Sequence, residues 1–238
     1  MAPKSKIALA FDVETTGNIL PVCPLGVHDP DSLARGDALI SVGWAGGRLA
    51  GNPPRIEYLA GPARLDIDLQ KPKSSSWKDY WAEKGWSGGT FSAFWAERLP
   101  LLSATQGSDA SSHASAALRL NETLEALEKK YEVVPIVDAV GFDDLWISVL
   151  LNSQGLPGLA KTREGRGRRV LDAYSFRLGR AGLDYTDAAP GHENGSDGAQ
   201  EAFKAQRSGF PEEYEHPHLA DRDAKGILAA YLSSLIVI

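Results

Sequence analysis

The run Ile7–Phe11 is apolar and then stops at once in Asp12-Val13-Glu14-Thr15-Thr16-Gly17. Its length and the turn residues behind it predict a strand over Lys6–Glu14. On a strand, residues i and i+2 point to one face, so Asp12 and Glu14 present two carboxylates side by side. Like charges at that spacing repel, and burial strengthens the repulsion. Such a pair is tolerated at a solvated strand end or around cations. The apolar tract before it suits an open surface strand poorly, which favours a hard-cation site with oxygen ligands, of the kind Mg2+ or Mn2+ occupies.

Further apolar runs predict strands over Asp37–Ala45, Arg55–Ala60 and Val133–Val140, with a short one at Val170–Tyr174. Gly46-Gly47 is read as a turn, and Asn18–Gly36 as a long loop. The first three strands, with short connections between them, suggest an antiparallel meander. Helices are expected over Ala116–Tyr131, Asp143–Asn152, Ser175–Ala181, Gln200–Ser208 and Leu219–Val237, from apolar residues recurring at helical spacing. This order implies an α/β fold: a mixed sheet of three antiparallel N-terminal strands plus parallel strands, flanked by helices. The 238 residues are read as a single domain with an inserted segment at about 61–115. The insertion is rich in aromatics, among them Trp77, Tyr80, Trp81, Trp86, Phe91, Phe94 and Trp95. They read chiefly as its core, with stacking on unpaired bases as the alternative.

One cysteine, Cys23, excludes an intrachain disulfide framework and a cysteine-type zinc site. Neither of the longest apolar runs approaches the ~20 residues needed to cross a bilayer. Two lysines followed by only five apolar residues do not make a signal peptide. The expected location is therefore intracellular, not secreted and cytoplasmic by default, with no membrane partner. A net charge of −6 alone speaks against a simple basic nucleic-acid binder. Its distribution does not: Lys161–Arg180 carries seven positive and two negative charges, a net +5.

Two more carboxylate-bearing pieces lie at predicted element ends. Phe142-Asp143 falls where the fourth strand gives way to a helix; its acid reads either as a helix N-cap or as a ligand at the carboxyl end of the sheet. His216-Pro217-His218-Leu219-Ala220-Asp221-Arg222-Asp223-Ala224 opens the last helix. The spacing His-x4-Asp occurs twice there, as His216 with Asp221 and as His218 with Asp223, and spacing does not choose between them.

Taken together, these pieces resemble the DEDDh 3′–5′ exonucleases of the DnaQ-like superfamily, on the ribonuclease H-like fold. The first family motif is matched at Asp12, Glu14, Thr15, Thr16 and Gly17, the second at Phe142-Asp143, and the third at His218, Ala220, Asp223 and Ala224. The third motif's alanine pattern selects the His218 register. The motifs appear in the family's order over residues 12 to 224. One departure is Ala139, where the family usually carries Asn.

The resemblance implies hydrolysis of phosphodiester bonds at nucleic-acid 3′ ends by a two-metal mechanism, releasing nucleoside 5′-monophosphates. It makes Asp12, Glu14, Asp143 and Asp223 ligands of two divalent cations, Mg2+ or Mn2+. His218 becomes the general base, and Thr15, Thr16 and Gly17 contacts to the terminal nucleotide. Arg163, Arg166, Arg168 and Arg169 are expected to grip phosphates. The expected partner is nucleic acid with a free 3′ end, DNA ahead of RNA. A polymerase partner and a homodimer both stay open. The competing reading is a non-catalytic ribonuclease H-like module that binds nucleic acid or protein.

Overall fold

The computed structural model describes residues 4–17, 37–138, 140–162, 165–180 and 218–236. Among them a five-stranded sheet runs in the order β3-β2-β1-β4-β5. β1 (Lys6–Thr15), β2 (Leu39–Ala50) and β3 (Arg55–Asp66) pair antiparallel, and β4 (Glu132–Val137) and β5 (Leu171–Asp172) continue in parallel from β1. This is the mixed sheet that the ribonuclease H-like resemblance implies.

The helices are α1 (Trp77–Glu83), α2 (Gly88–Ala93), α3 (Leu99–Thr105), α4 (His113–Lys130), α5 (Asp143–Asn152), α6 (Ala173–Arg180) and α7 (Ala220–Ser234). A 3-10 turn, Trp95–Arg98, separates α2 from α3. The expected helix over Gln200–Ser208 and the loop over Asn18–Gly36 lie outside the described residues, as do Ala139, Arg163 and His216.

Gly46-Gly47 does not form the turn expected of it. Both glycines stay inside β2, where the register with β3 shifts; a glycine inside a strand marks such irregularities as readily as a turn. The chain reverses instead at Gly51-Asn52-Pro53-Pro54, and β3 continues past its expected end to Asp66.

β1 alternates large and small side chains, and this sorts the two faces of the sheet. Ile7, Leu9, Phe11 and Val13 join Leu120, Leu124 and Leu127 of α4 and Trp146, Ile147 and Leu150 of α5 in one buried cluster. Ala8 and Ala10 pack with Ile136 of β4 and Ile227, Leu228 and Leu232 of α7 in another. Small residues on that face let α7 lie close to the backbone. A third cluster joins Ala38 and Ile40 to Leu69 and to Tyr80, Trp81, Phe91, Trp95 and Leu102 of the aromatic-rich stretch. Ring pairs at 5.1–5.5 Å, such as Trp81 with Trp86 and with Phe91, interlock it. No helix among the described residues is long and apolar enough to cross a membrane.

Candidate active site

Asp12 and Glu14 continue the small-residue face of β1, so they emerge beneath the start of α7. One row across the sheet sets the geometry: Asp12 on β1 lies opposite Gly43 on β2, which lies opposite Arg64 on β3. Gly43 is where α7 touches down. A Cβ at this position would fall 2.0 Å from the Ala220 carbonyl carbon and 2.2 Å from the Asp221 nitrogen. Only glycine lets the helix backbone come this near the strand. Arg64 then ties the helix start laterally. Its guanidinium bridges Asp66 Oδ1 at 2.7 Å and Asp221 Oδ1 at 3.4 Å.

This arrangement separates the two acids that spacing left equivalent. Asp221 is engaged by Arg64, while Asp223, one face round the helix, is buried over the β1 acids. One ligand atom each from Glu14, His218 and Asp223 lie within 4.8 Å of one another.

Asp143 is buried at the first turn of α5, beyond the carboxyl end of β4. It is not the N-cap, a position that falls to Phe142 without a side-chain cap bond. The neighbouring Asp144 takes the local turn role instead, its Oδ1 accepting from the Gly141 N–H at 2.6 Å.

The electrostatics show how tightly the acids are gathered. Burial, then the charges of Asp143, Glu14, Asp223 and Asp138, hold the Asp12 carboxyl well above the usual carboxylate range. Burial and the charges of Asp223 and Asp143 push Glu14 up to about 8, while Arg98 pulls it the other way. Asp12 Oδ2 is buried and accepts no hydrogen bond from the described residues. A carboxylate oxygen in that position is costly unless something positive reaches it. The donor set is all oxygen with one imidazole, and it fits a hard divalent cation.

His218 sits at φ +57°, a left-handed backbone conformation that costs a non-glycine residue about 1 kcal/mol or more. Its ring meets Phe94 edge to face at 4.6 Å. Trp95 Nε1 donates to the Thr15 carbonyl at 2.9 Å, fastening the 3-10 turn to the end of β1. The aromatic-rich stretch therefore borders His218 and the end of β1.

The Thr15-Thr16-Gly17 corner is engaged in holding the fold. The Thr16 N–H donates to the Ala38 carbonyl at 2.8 Å, and its hydroxyl accepts from the Ala38 N–H at 2.6 Å. Asp37 links this corner to the aromatic-rich stretch, accepting from the Thr16 hydroxyl at 3.3 Å and from the Ser87 N–H at 3.0 Å. Gly17 lies so near Asp37 that a Cβ would fall 2.2 Å from Oδ2. Thr15 Oγ1 donates to the Gly17 carbonyl.

The arginines do not join the acids. Arg166, Arg168 and Arg169 line an open cavity of about 1210 Å³ together with Lys4, Lys6 and Glu132. Lys6 and Glu132 begin β1 and β4, whereas the acids stand at the other end of those strands. Six residues of strand separate Lys6 from Asp12, roughly 20 Å. Arg168 is held by Glu128 at 2.6 Å and by the Leu159 and Lys161 carbonyls, with its side chain 5% exposed. Arg180 of the same basic segment donates to the Ser234 carbonyl at the end of α7.

Sequence reasoning missed Gly43, Arg64 and Arg98, and read Phe94 only as core of the aromatic-rich stretch or as a stacking residue. Gly43 carried a readable signal, being a glycine inside an apolar strand, which marks a close backbone approach. Arg64 and Arg98 had none, because their importance depends on which element folds against which.

Solved structures of exonuclease I carry the same architecture. The product-bound exonuclease I aligns with a TM-score of 0.52 at 14% identity, covering 96% of this chain. The chain shares its fold with exonuclease I. SSB/exonuclease I in complex with the inhibitor CFAM aligns with a TM-score of 0.50 at 14% identity, over 96% of this chain. E. coli exonuclease I in complex with a dT13 oligonucleotide gives 0.49 at 14% identity, over 94%. This chain spans 43%, 41% and 40% of those three chains respectively. At this identity the likeness is one of fold. No family model matches the sequence, and no curated protein matches it.

Proposed function

We propose that the chain is a metal-dependent 3′–5′ exonuclease. The observation that carries the reading is the convergence of Asp12, Glu14, Asp143 and Asp223, with His218, from three separate element ends onto one buried spot. Four acids crowded out of water repel one another, and two dications bound among them would offset that charge. The shared fold with exonuclease I agrees with a nuclease.

Asp12, Glu14, Asp143 and Asp223 would hold two divalent cations. When bound, these supply charge stabilisation to the phosphoryl oxygens and a more acidic water. His218 accepts the proton of the attacking water at an imidazole nitrogen. The water oxygen bonds to phosphorus as the bond to the 3′ oxygen of the penultimate nucleotide breaks. A nucleoside 5′-monophosphate leaves, and the shortened strand keeps the 3′ oxygen. Burial of Glu14, Asp143 and Asp223 excludes bulk water around the acids and strengthens every charge interaction there. The substrate proposed is nucleic acid with a free 3′ end, with DNA ahead of RNA. Arg166 and Arg169, both exposed at the far end of the sheet, would meet only a part of the strand distant from that end.

The test is a 5′-labelled single-stranded oligonucleotide with Mg2+ or Mn2+. A ladder of 3′-shortened products, abolished by Asp12→Ala, supports the reading. Binding without cleavage in either metal would instead favour a non-catalytic nucleic-acid-binding module.

A further inference from the structure

One ring nitrogen of His218 lies within 4.8 Å of a carboxylate oxygen of Glu14 and of Asp223. A histidine side chain has two torsions and only one useful orientation here, so a neighbour packed against its ring narrows the choice. One such neighbour comes from the aromatic-rich stretch. The Phe94 ring meets His218 at a centroid distance of 4.6 Å and an interplanar angle of 82°.

Phe94 is itself held from several directions. The guanidinium of Arg98 lies 4.2 Å from the ring centroid and donates from Nη1 to the Phe94 carbonyl at 2.8 Å. Trp95 packs against the Phe94 ring at 4.9 Å and is anchored by its indole N–H to the Thr15 carbonyl. The ring is thus tied both to the first-motif strand and, through Arg98, to its own turn. Phe94 is partly buried, so its packing area is modest; geometry is its contribution.

We infer that Phe94, clamped by Arg98, is a positioning residue that fixes the His218 imidazole, so that the inserted segment forms one wall of the site. The inference rests on the exonuclease reading for its consequence in catalysis, but not for the contact. Its effect belongs to the chemical step: a proton acceptor out of place slows turnover without loosening the strand.

The experiment uses the full chain with Phe94→Leu, Phe94→Tyr and Arg98→Lys. The His218 ring-proton resonances are assigned by their disappearance in His218→Gln. Loss of the phenyl ring current should move these resonances in Phe94→Leu, whereas Phe94→Tyr, which keeps the ring, should leave them in place. Single-turnover cleavage should fall roughly 10- to 100-fold in Phe94→Leu with substrate affinity unchanged, and recover in Phe94→Tyr. Arg98→Lys keeps the charge but loses the planar stack, so it should act in the same direction more weakly. Unmoved resonances and unchanged cleavage in Phe94→Leu overturn the inference. An inactive wild type whose resonances still move overturns the exonuclease reading and leaves the Phe94–His218 contact standing. An active wild type whose resonances do not move does the reverse. Moved resonances with unchanged cleavage in an active enzyme overturn the positioning role.

Discussion

Gly43→Ala puts a methyl group where the fold has no room for one. The new Cβ would lie 2.0 Å and 2.1 Å from the Ala220 carbonyl carbon and oxygen, and 2.2 Å from the Asp221 nitrogen. All three are backbone atoms at the start of α7, so no side chain can swing aside. Cβ contacts under 3.0 Å are essentially never seen, and the helix start must therefore withdraw by about 1 Å. Ligand distances in a metal site tolerate only about 0.2 Å. The same shift moves His218 and Asp223 away from Glu14, and a displacement of that size costs about 100-fold in rate. Overpacking should also cost about 1–3 kcal/mol of stability, or roughly 2–10 °C in Tm for a chain of this length. Three measurements on one sample read this out: cleavage of a 5′-labelled strand, Mn2+ affinity by electron paramagnetic resonance, and thermal melting. Wild-type cleavage and Mn2+ affinity in Gly43→Ala would refute the argument that close approach of α7 assembles the site.

In metal-free protein, Glu14 should make stability fall as pH rises from 4.5 to about 8, because the unfolded chain releases the proton while the folded chain still holds it. At ~1.36 kcal/mol per pH unit the ceiling is about 5 kcal/mol; urea midpoints in EDTA should show the slope, Glu14→Gln should flatten it, Mn2+ should reverse it, and a midpoint rising with pH would contradict it. Arg168→Ala breaks an ion pair whose arginine side chain is 5% exposed, so it should cost about 3 kcal/mol in urea denaturation. Arg169→Ala, at an exposed position, should stay within about 0.5 kcal/mol; equal losses in both would show that Arg168 is not a structural anchor.

Much of the sheet was legible because strand signals are local. The apolar run Ile7–Phe11 ended by turn residues predicts β1 almost to the residue, and the helical spacing at 116–131 predicts most of α4. Gly46-Gly47 misled because glycine permits a turn without requiring one, and pairing with β1 and β3 kept those residues extended. The acids were legible as a motif for the same reason: Asp12 and Glu14 share a face by the period of a strand alone.

The Lys161–Arg180 segment shows the opposite case. Its charge could be counted, but its place could not, and the structure sets Arg166, Arg168 and Arg169 at the end of the sheet away from the acids. Charge is a property of composition, whereas position depends on the direction in which the chain enters the parallel strands. Arg168 and Arg180 turn out to be engaged with Glu128 and with the end of α7.

What the sequence determined by itself is the kind of element at each position and the residue types at its end: a strand closing on two acids, a helix opening on an acid, and a helix opening on histidine and acid. These follow from periodicity and capping chemistry within a few residues. Only the tertiary structure decided that Arg64 engages Asp221, that Gly43 admits the helix, and that Phe94 stands against His218. Each of these is a contact between segments far apart in the chain. Such contacts are set by close packing of whole elements, to which no local pattern is sensitive.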